Sequence, residues 1–214
     1  AWVMKLKPGG VSDNIFPDLG SSAQSIAIRG DGQPVMGGYA TATDGTSSPF
    51  LVKLAPNGTN PEPLGDLGSL PEGLPTHVMQ LAATGPDALL IGGHSLQTSG
   101  NSTHQGIWVR RLEGDDWVWT RVFTTEQKSA LSLAAMSLGP TPDFNTEEQR
   151  LVLAGFLTKQ TNETTDQWAT AIGLETGSDV EQAWFYQGGQ QQKNERFLDV
   201  VAVTHSTAVA LGWS

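Results

Sequence analysis

The sequence predicts an all-β fold built from four similar units, and three observations carry that reading. First, a short apolar run that ends in a small residue and glycine recurs four times. The copies are Pro34-Val35-Met36-Gly37-Gly38-Tyr39, Leu89-Leu90-Ile91-Gly92-Gly93-His94, Leu151-Val152-Leu153-Ala154-Gly155-Phe156 and Ala208-Val209-Ala210-Leu211-Gly212-Trp213. Second, the aligned glycines Gly38, Gly93, Gly155 and Gly212 are spaced 55, 62 and 57 residues apart, a period that signals a repeat architecture. Third, no stretch of twelve or more residues keeps a 3.6-residue apolar period, so helices are not expected.

Each unit reads as four strands. The first are Ser25–Ile28, Val78–Leu81, Leu131–Ala134 and Leu198–Val201. The second are the glycine-ended runs. The third are Phe50–Leu54, Trp108–Leu112, Trp168–Ile172 and the displaced copy Trp2–Leu6. The fourth are Glu62–Leu67, Trp117–Phe123, Gln182–Gln187 and the displaced copy Asn14–Leu19. The runs are short, rich in β-branched and aromatic residues, and bounded by Gly, Pro, Asn and Asp. In Trp2-Val3-Met4-Lys5-Leu6 the large apolar residues alternate, as a half-buried strand requires. Asp31-Gly32 and Pro56-Asn57-Gly58 supply turn chemistry between strands. Lys128 to Leu138 fits the strand register of its repeat better than a helix.

Four short strands per unit of about fifty residues is the signature of a β-propeller blade. The expected blades of this single domain, residues 1–214, are 22–73, 74–127, 128–194, and 195–214 completed by 1–21. The last blade, closed by both ends of the chain, would remove exposed sheet edges. The competing reading is a piece of a larger propeller. The start at Ala1 also reads as a processed terminus or a truncated chain.

These units resemble secreted bacterial β-propeller repeat proteins. The similarity lies in Ser25 to Gly32, Val35 to Tyr39 and Phe50 to Gly58, that is, Asp-Gly, Gly-aromatic and Trp-Val-x-Lys-Leu segments. It is closest over residues 1–60. The third unit carries insertions and has Ala171-Ile172 in place of Lys-Leu. The resemblance implies a location outside the cytoplasm (periplasmic, cell-surface or secreted) and a role as an interaction platform.

Composition narrows the function classes. The formal net charge is -10, which argues against nucleic acid or an anionic membrane surface as partner. Only 16% of residues are charged, below the usual quarter. Cysteine is absent, which excludes thiolate metal sites and cysteine nucleophiles. No run approaches the roughly 18 apolar residues of a membrane span.

Each candidate site also has a plainer structural role. Arg29-Gly30-Asp31 matches an adhesion tripeptide, but its glycines and Asp31 suit a hairpin turn better. Asn57-Gly58-Thr59, Asn101-Ser102-Thr103 and Asn162-Glu163-Thr164 match glycosylation sequons in expected loops. His94 and His104 could approach each other across one loop, without a third ligand at metal-binding spacing; His77 and His205 complete the histidines. Asp115-Asp116 reads as a turn. Trp2, Trp108 and Trp168, with Phe50, share one repeat position and read as packing between blades. Trp117 and Trp119 are expected to share one strand face, as are Trp184 and Tyr186. Those four are the expected contacts for a protein or a sugar. Gly139 to Gln149 and Gln187 to Asn194 are the longest irregular connections.

No catalytic constellation, metal site or cofactor motif emerges. The expected function is therefore a non-catalytic extracytoplasmic interaction module, or an accessory subunit of a larger envelope or surface assembly, with another protein as partner. A carbohydrate-binding module is the alternative, and a propeller hydrolase or lyase the third.

Overall fold

The structure is a computed structural model that describes residues 3–6, 12–15, 22–56, 60–71, 73–99, 102–124, 129–140, 149–159, 164–178, 184–186, 195–204 and 207–213. Its described residues form strands and turns throughout, so the protein is all-β with several antiparallel sheets. No helix among them is long and apolar enough to cross a membrane.

The first sheet holds β3 (Ser22–Ile28), β4 (Pro34–Thr41), β5 (Ser47–Lys53) and β6 (Glu62–Pro63). The second holds β7 (Leu74–Ala83), β8 (Ala88–Ser99), β9 (Ser102–Glu113) and β10 (Asp116–Phe123). The third holds β11 (Ser129–Leu138), β12 (Arg150–Lys159), β13 (Thr165–Gly173) and β14 (Trp184–Tyr186). In each, sequence neighbours pair in order as an antiparallel meander. Two hairpins complete the elements: β15 (Arg196–Thr204) with β16 (Thr207–Trp213), and β1 (Val3–Leu6) with β2 (Ser12–Ile15). The turns follow their sequence. Arg29 N–H donates to Gln33 O at 3.0 Å and Gly32 sits at φ 81°, where only glycine is free of strain.

Apolar residues are buried in layers between successive sheets. Val35 and Leu51 of the first sheet meet Val78, Leu89, Ile91 and Trp108 of the second. Leu90, Ile107 and Val109, from the second sheet's other face, meet Leu131, Leu153 and Trp168 of the third. Val152 and Ala171 of the third meet Val200 on β15. Trp108 and Trp168 are fully buried in these layers, as their shared repeat position suggested. Trp2 lies outside the described residues.

The aligned glycines have one physical cause. In each unit the first strand carries a register shift where it faces the glycine: between Ala23 and Ser25, Val78 and Gln80, Leu133 and Ala135, and Phe197 and Asp199. The bulge presses a backbone carbonyl onto the neighbouring Cα. A Cβ on Gly38, Gly93, Gly155 or Gly212 would lie closer than 3.0 Å to the carbonyl oxygen of Ser22, His77, Ser132 or Arg196 respectively. Only glycine fits such an approach.

Several expectations change. The fourth strand of the first unit is shorter than Glu62–Leu67, because Pro63 cannot donate to a ladder and Gly65 turns the chain away at φ 67°. The displaced fourth strand already includes Ser12 and Asp13, ahead of the expected Asn14, while Phe16 to Leu19 lie outside the described residues. The turn reading of Arg29-Gly30-Asp31 stands: Arg29 is buried and its guanidinium bonds Asp87 Oδ1 at 2.8 Å, so the tripeptide is a hairpin turn packed on the second sheet. The residue triplets beginning at Asn57, Asn101 and Asn162 reach into segments outside the described residues, as do most of Gly139 to Gln149 and all of Gln187 to Asn194.

Replacing Gly93 by Ala should destabilise the fold by about 1–3 kcal/mol, through overpacking against the bulge and the Trp108 ring. Replacing Gly85, where an added Cβ meets only ordinary contact at 3.5 Å, should change stability by no more than about 0.5 kcal/mol. Urea unfolding of both variants tests this, and equal effects would contradict the bulge argument.

Candidate binding cleft between the first two sheets

A cleft of about 950 Å³ opens between the outer strands of the first sheet and the edge of the second. One wall is β5, from Ser47 to Val52. The other is the start of β7, Leu74 to His77, with Ser95 and Leu96 of β8. The connection after β6, through Gly65, Asp66, Leu67 and Gly68, closes one end. Leu74 and Leu96, directly paired across β7 and β8, are 62% and 48% exposed at its mouth.

The second sheet holds this connection rigid. Arg110 on β9 is buried and donates from Nη1 to Leu67 O and from Nη2 to Ser69 O, both at 2.9 Å. Its guanidinium stacks on the Trp117 ring, 5.0 Å from the centroid. Trp117 Nε1 donates to Asp66 O at 2.9 Å. Asp66 Oδ1 in turn accepts from Gly68 N–H at 2.8 Å. The two terminal nitrogens of the rigid guanidinium fork reach the Leu67 and Ser69 carbonyls together, an arrangement the single ammonium of lysine does not match.

Trp117 and Trp119 therefore do not share a face. The strand register shifts between them, so Trp117 opposes Leu112 while Trp119 opposes Arg111. Trp117 packs in the layer toward the first sheet and Trp119 in the layer toward the third. Trp119 Nε1 donates to Leu174 O at 2.9 Å. Both indole N–H groups are thus bonded to backbone carbonyls of the chain itself, and Trp117 packs against Gly65 at the end of the cleft. Trp184 and Tyr186 lie on β14, but their side chains lie outside the described residues.

The histidines also differ from the expected pairing. His94 meets His77, with ring centroids 5.7 Å apart, rather than His104. His104 stands opposite Gln97 across β8 and β9. The His104 Nδ1 and Gln97 Oε1 atoms are buried without hydrogen bonds. His205 is outside the described residues. His77 borders the cleft, its Nδ1 2.8 Å from Thr76 Oγ1 and its ring edge-on to Tyr39 at 4.2 Å. His94 Nε2 accepts a hydrogen bond from Leu133 N–H at 3.2 Å, so its proton sits on Nδ1. Burial, with a smaller contribution from the charge on His77, lowers the His94 pKa to about 4. Burial also lowers that of His77. Both rings are neutral at pH 7.

Sequence reading missed this cleft, because its walls come from residues about thirty positions apart on two sheets. One available signal was Pro61-Glu62-Pro63, which limits the outer strand. Comparison of the chain with protein-family models, with curated proteins and with solved structures found no match.

Because the folded pKa of His94 is depressed, the unfolded chain binds the proton first as pH falls. Stability should be full above about pH 6.5 and decline toward pH 4, by at most about 3 kcal/mol from this residue. Urea midpoints across that range should fall in the native protein and flatten in His94→Gln. An unchanged slope in the variant would contradict the assignment. Arg110→Ala should cost about 2–3 kcal/mol, because two loop carbonyls lose a charged donor.

Proposed function

We propose that the protein is a four-bladed β-propeller whose last blade combines both ends of the chain, and that it works outside the cytoplasm as a non-catalytic interaction module. The architectural part rests on what stands open. Val35, Leu90 and Val152 occupy one repeat position, face the next sheet and are buried. Val209, their equivalent on β16, is 60% exposed. On the opposite faces, Leu81, Met136 and Val200 pack on the preceding sheet. Their equivalent on β3, Ile26, is 48% exposed, and Ile28 beside it 57%.

Side-chain sizes support joining these two faces. Gly37 meets Val78, and Gly92 meets Leu133, small against large. At the open faces the sizes are exchanged: Leu211 holds the glycine position and Ala23 the larger one. Such volume compensation is what close packing needs.

The interaction role is carried by the inter-sheet cleft. It has no array of free ionisable groups: Asp66 caps its own turn while keeping its negative charge in the cleft, and His77 bonds Thr76. What remains on offer is shape, apolar surface at Leu74 and Leu96, and backbone groups, which suits recognition of another protein. The bound indoles of Trp117 and Trp119 weaken the carbohydrate reading.

Two measurements test this. Ile28→Asp should cost 2 kcal/mol or more (roughly) if closure buries it, whereas Val118→Asp on the outer strand should cost no more than about 0.5 kcal/mol. Similar small effects would refute the ring. Native mass spectrometry of the protein purified gently from its host should show a stable complex, lost in a Leu74→Asp, Leu96→Asp variant of unchanged fold. A bare 22.7 kDa species under all conditions would oppose the interaction role.

A further inference from the structure

Resting on the interaction-module reading, we infer that the cleft receives an extended peptide of a partner protein, which adds as a strand to the unpaired outer edge of β5. β5 pairs with β4 along its whole length, from Ser47 to Lys53, without a register shift. On its other side β6 covers only Val52 and Lys53, with one more bond from Leu64 N–H to Leu51 O at 3.0 Å. That bond fixes the direction of the backbone groups. The odd-numbered residues point away from β4, because alternate residues of an antiparallel strand face alternate neighbours. Thr46 O and Leu54 N–H confirm the alternation by bonding Ala42 and Pro34 on the β4 side. Ser47 N–H, Ser47 C=O and Pro49 C=O therefore point outward, and among the described residues nothing pairs with them. The residues from Ser47 to Leu51 all line the cleft.

The second sheet shows what fills this place. There β10 runs alongside β9 as far as Ile107, with Val122 opposite Trp108 and Phe123 opposite Ile107. Trp108 and Ile107 are the repeat equivalents of Phe50 and Pro49. Phe123 packs edge-on to Trp168 at 5.6 Å, in the layer between two sheets. A guest residue opposite Pro49 would sit in the same place, over Leu51 and Leu67, which belong to the core layer between the first two sheets. The guest would thus extend an existing apolar interface.

Charge selects among such strands. Asp66 lines the cleft, and Asp44, in the adjoining turn, is held below the usual carboxylate range by bonds from the Thr46 hydroxyl and N–H. Against a chain of net charge -10, a guest with a large apolar residue and a neighbouring Lys or Arg is favoured. Pro49 keeps its acceptor but offers no donor, so the edge resists pairing with copies of itself while still accepting a guest N–H.

The test uses a peptide copying Val122 to Thr125, extended by two lysines and labelled with fluorescein at its C-terminal end; with Phe opposite Pro49 and Val opposite Phe50 it ends before Leu51, which Leu64 already bonds. Fluorescence anisotropy should show saturable binding with a Kd below about 1 mM. Methylating the peptide's Phe nitrogen, which faces β5, should weaken binding about tenfold or more. Methylating its Val nitrogen, which faces away, should leave binding within about twofold. Bound peptide should also slow amide exchange at Ser47. Absence of saturation at 1 mM, or equal effects of the two methylations, would overturn strand addition. The interaction-module reading would then still be judged separately, by whether the host complex survives Leu74→Asp, Leu96→Asp.

Discussion

The contact between a bulged carbonyl and a glycine Cα is the constraint on which the rest of the fold depends. It recurs at Gly38, Gly93, Gly155 and Gly212, against Ser22, His77, Ser132 and Arg196. A bulge adds local twist and bends the strand that carries it. Placing it at the same point of every unit gives each sheet the same distortion, so one face can fit the opposite face of the next. The apolar layers between sheets then follow from period-two alternation: Leu90 and Ile91, adjacent on β8, serve two different layers.

The second sheet is the mechanical centre of the described structure. Arg110 and Arg111 are consecutive on β9 and therefore point to opposite faces. Arg110 grips the connection after β6, while Arg111 bonds Leu174 O and Glu175 in the turn after β13. The register shift between Trp117 and Trp119 does the same for two tryptophans, sending one indole N–H to Asp66 O and the other to Leu174 O. These groups fix the loops of both neighbours from one sheet. The cleft is a consequence: its end wall is held by Arg110 and Trp117, and its volume exists because β6 stops after two residues. A rigid wall lowers the ordering cost of binding.

Much of this was legible in the residues. The glycine-ended runs located the second strand of every unit, and the shared position of Trp108 and Trp168 identified the buried layers. The turn chemistry of Asp31-Gly32 outweighed the adhesion motif, and burial of Arg29 bears that out. What was not legible depended on one-residue irregularities or on distance in sequence. Simple alternation puts Trp117 and Trp119 on one face, and only the shift at Val118 separates them. The approach of His94 to His77 comes from strand pairing, which a loop-based spacing argument overlooked. The proposed ring closure and guest strand would extend these same packing rules to the faces and edge that remain open.

The most direct test of the account is a methyl NOE spectrum of the isoleucine- and leucine-labelled protein. Gly92 meets Met136 between the second and third sheets, and Leu211 and Ile26 hold the corresponding repeat positions. A cross-peak between the Leu211 and Ile26 methyls, present in dilute monomer, is the expected result. Its absence, with cross-peaks among the leucine methyls of the layer between the second and third sheets clearly seen, would mean that the sheets stack without closing.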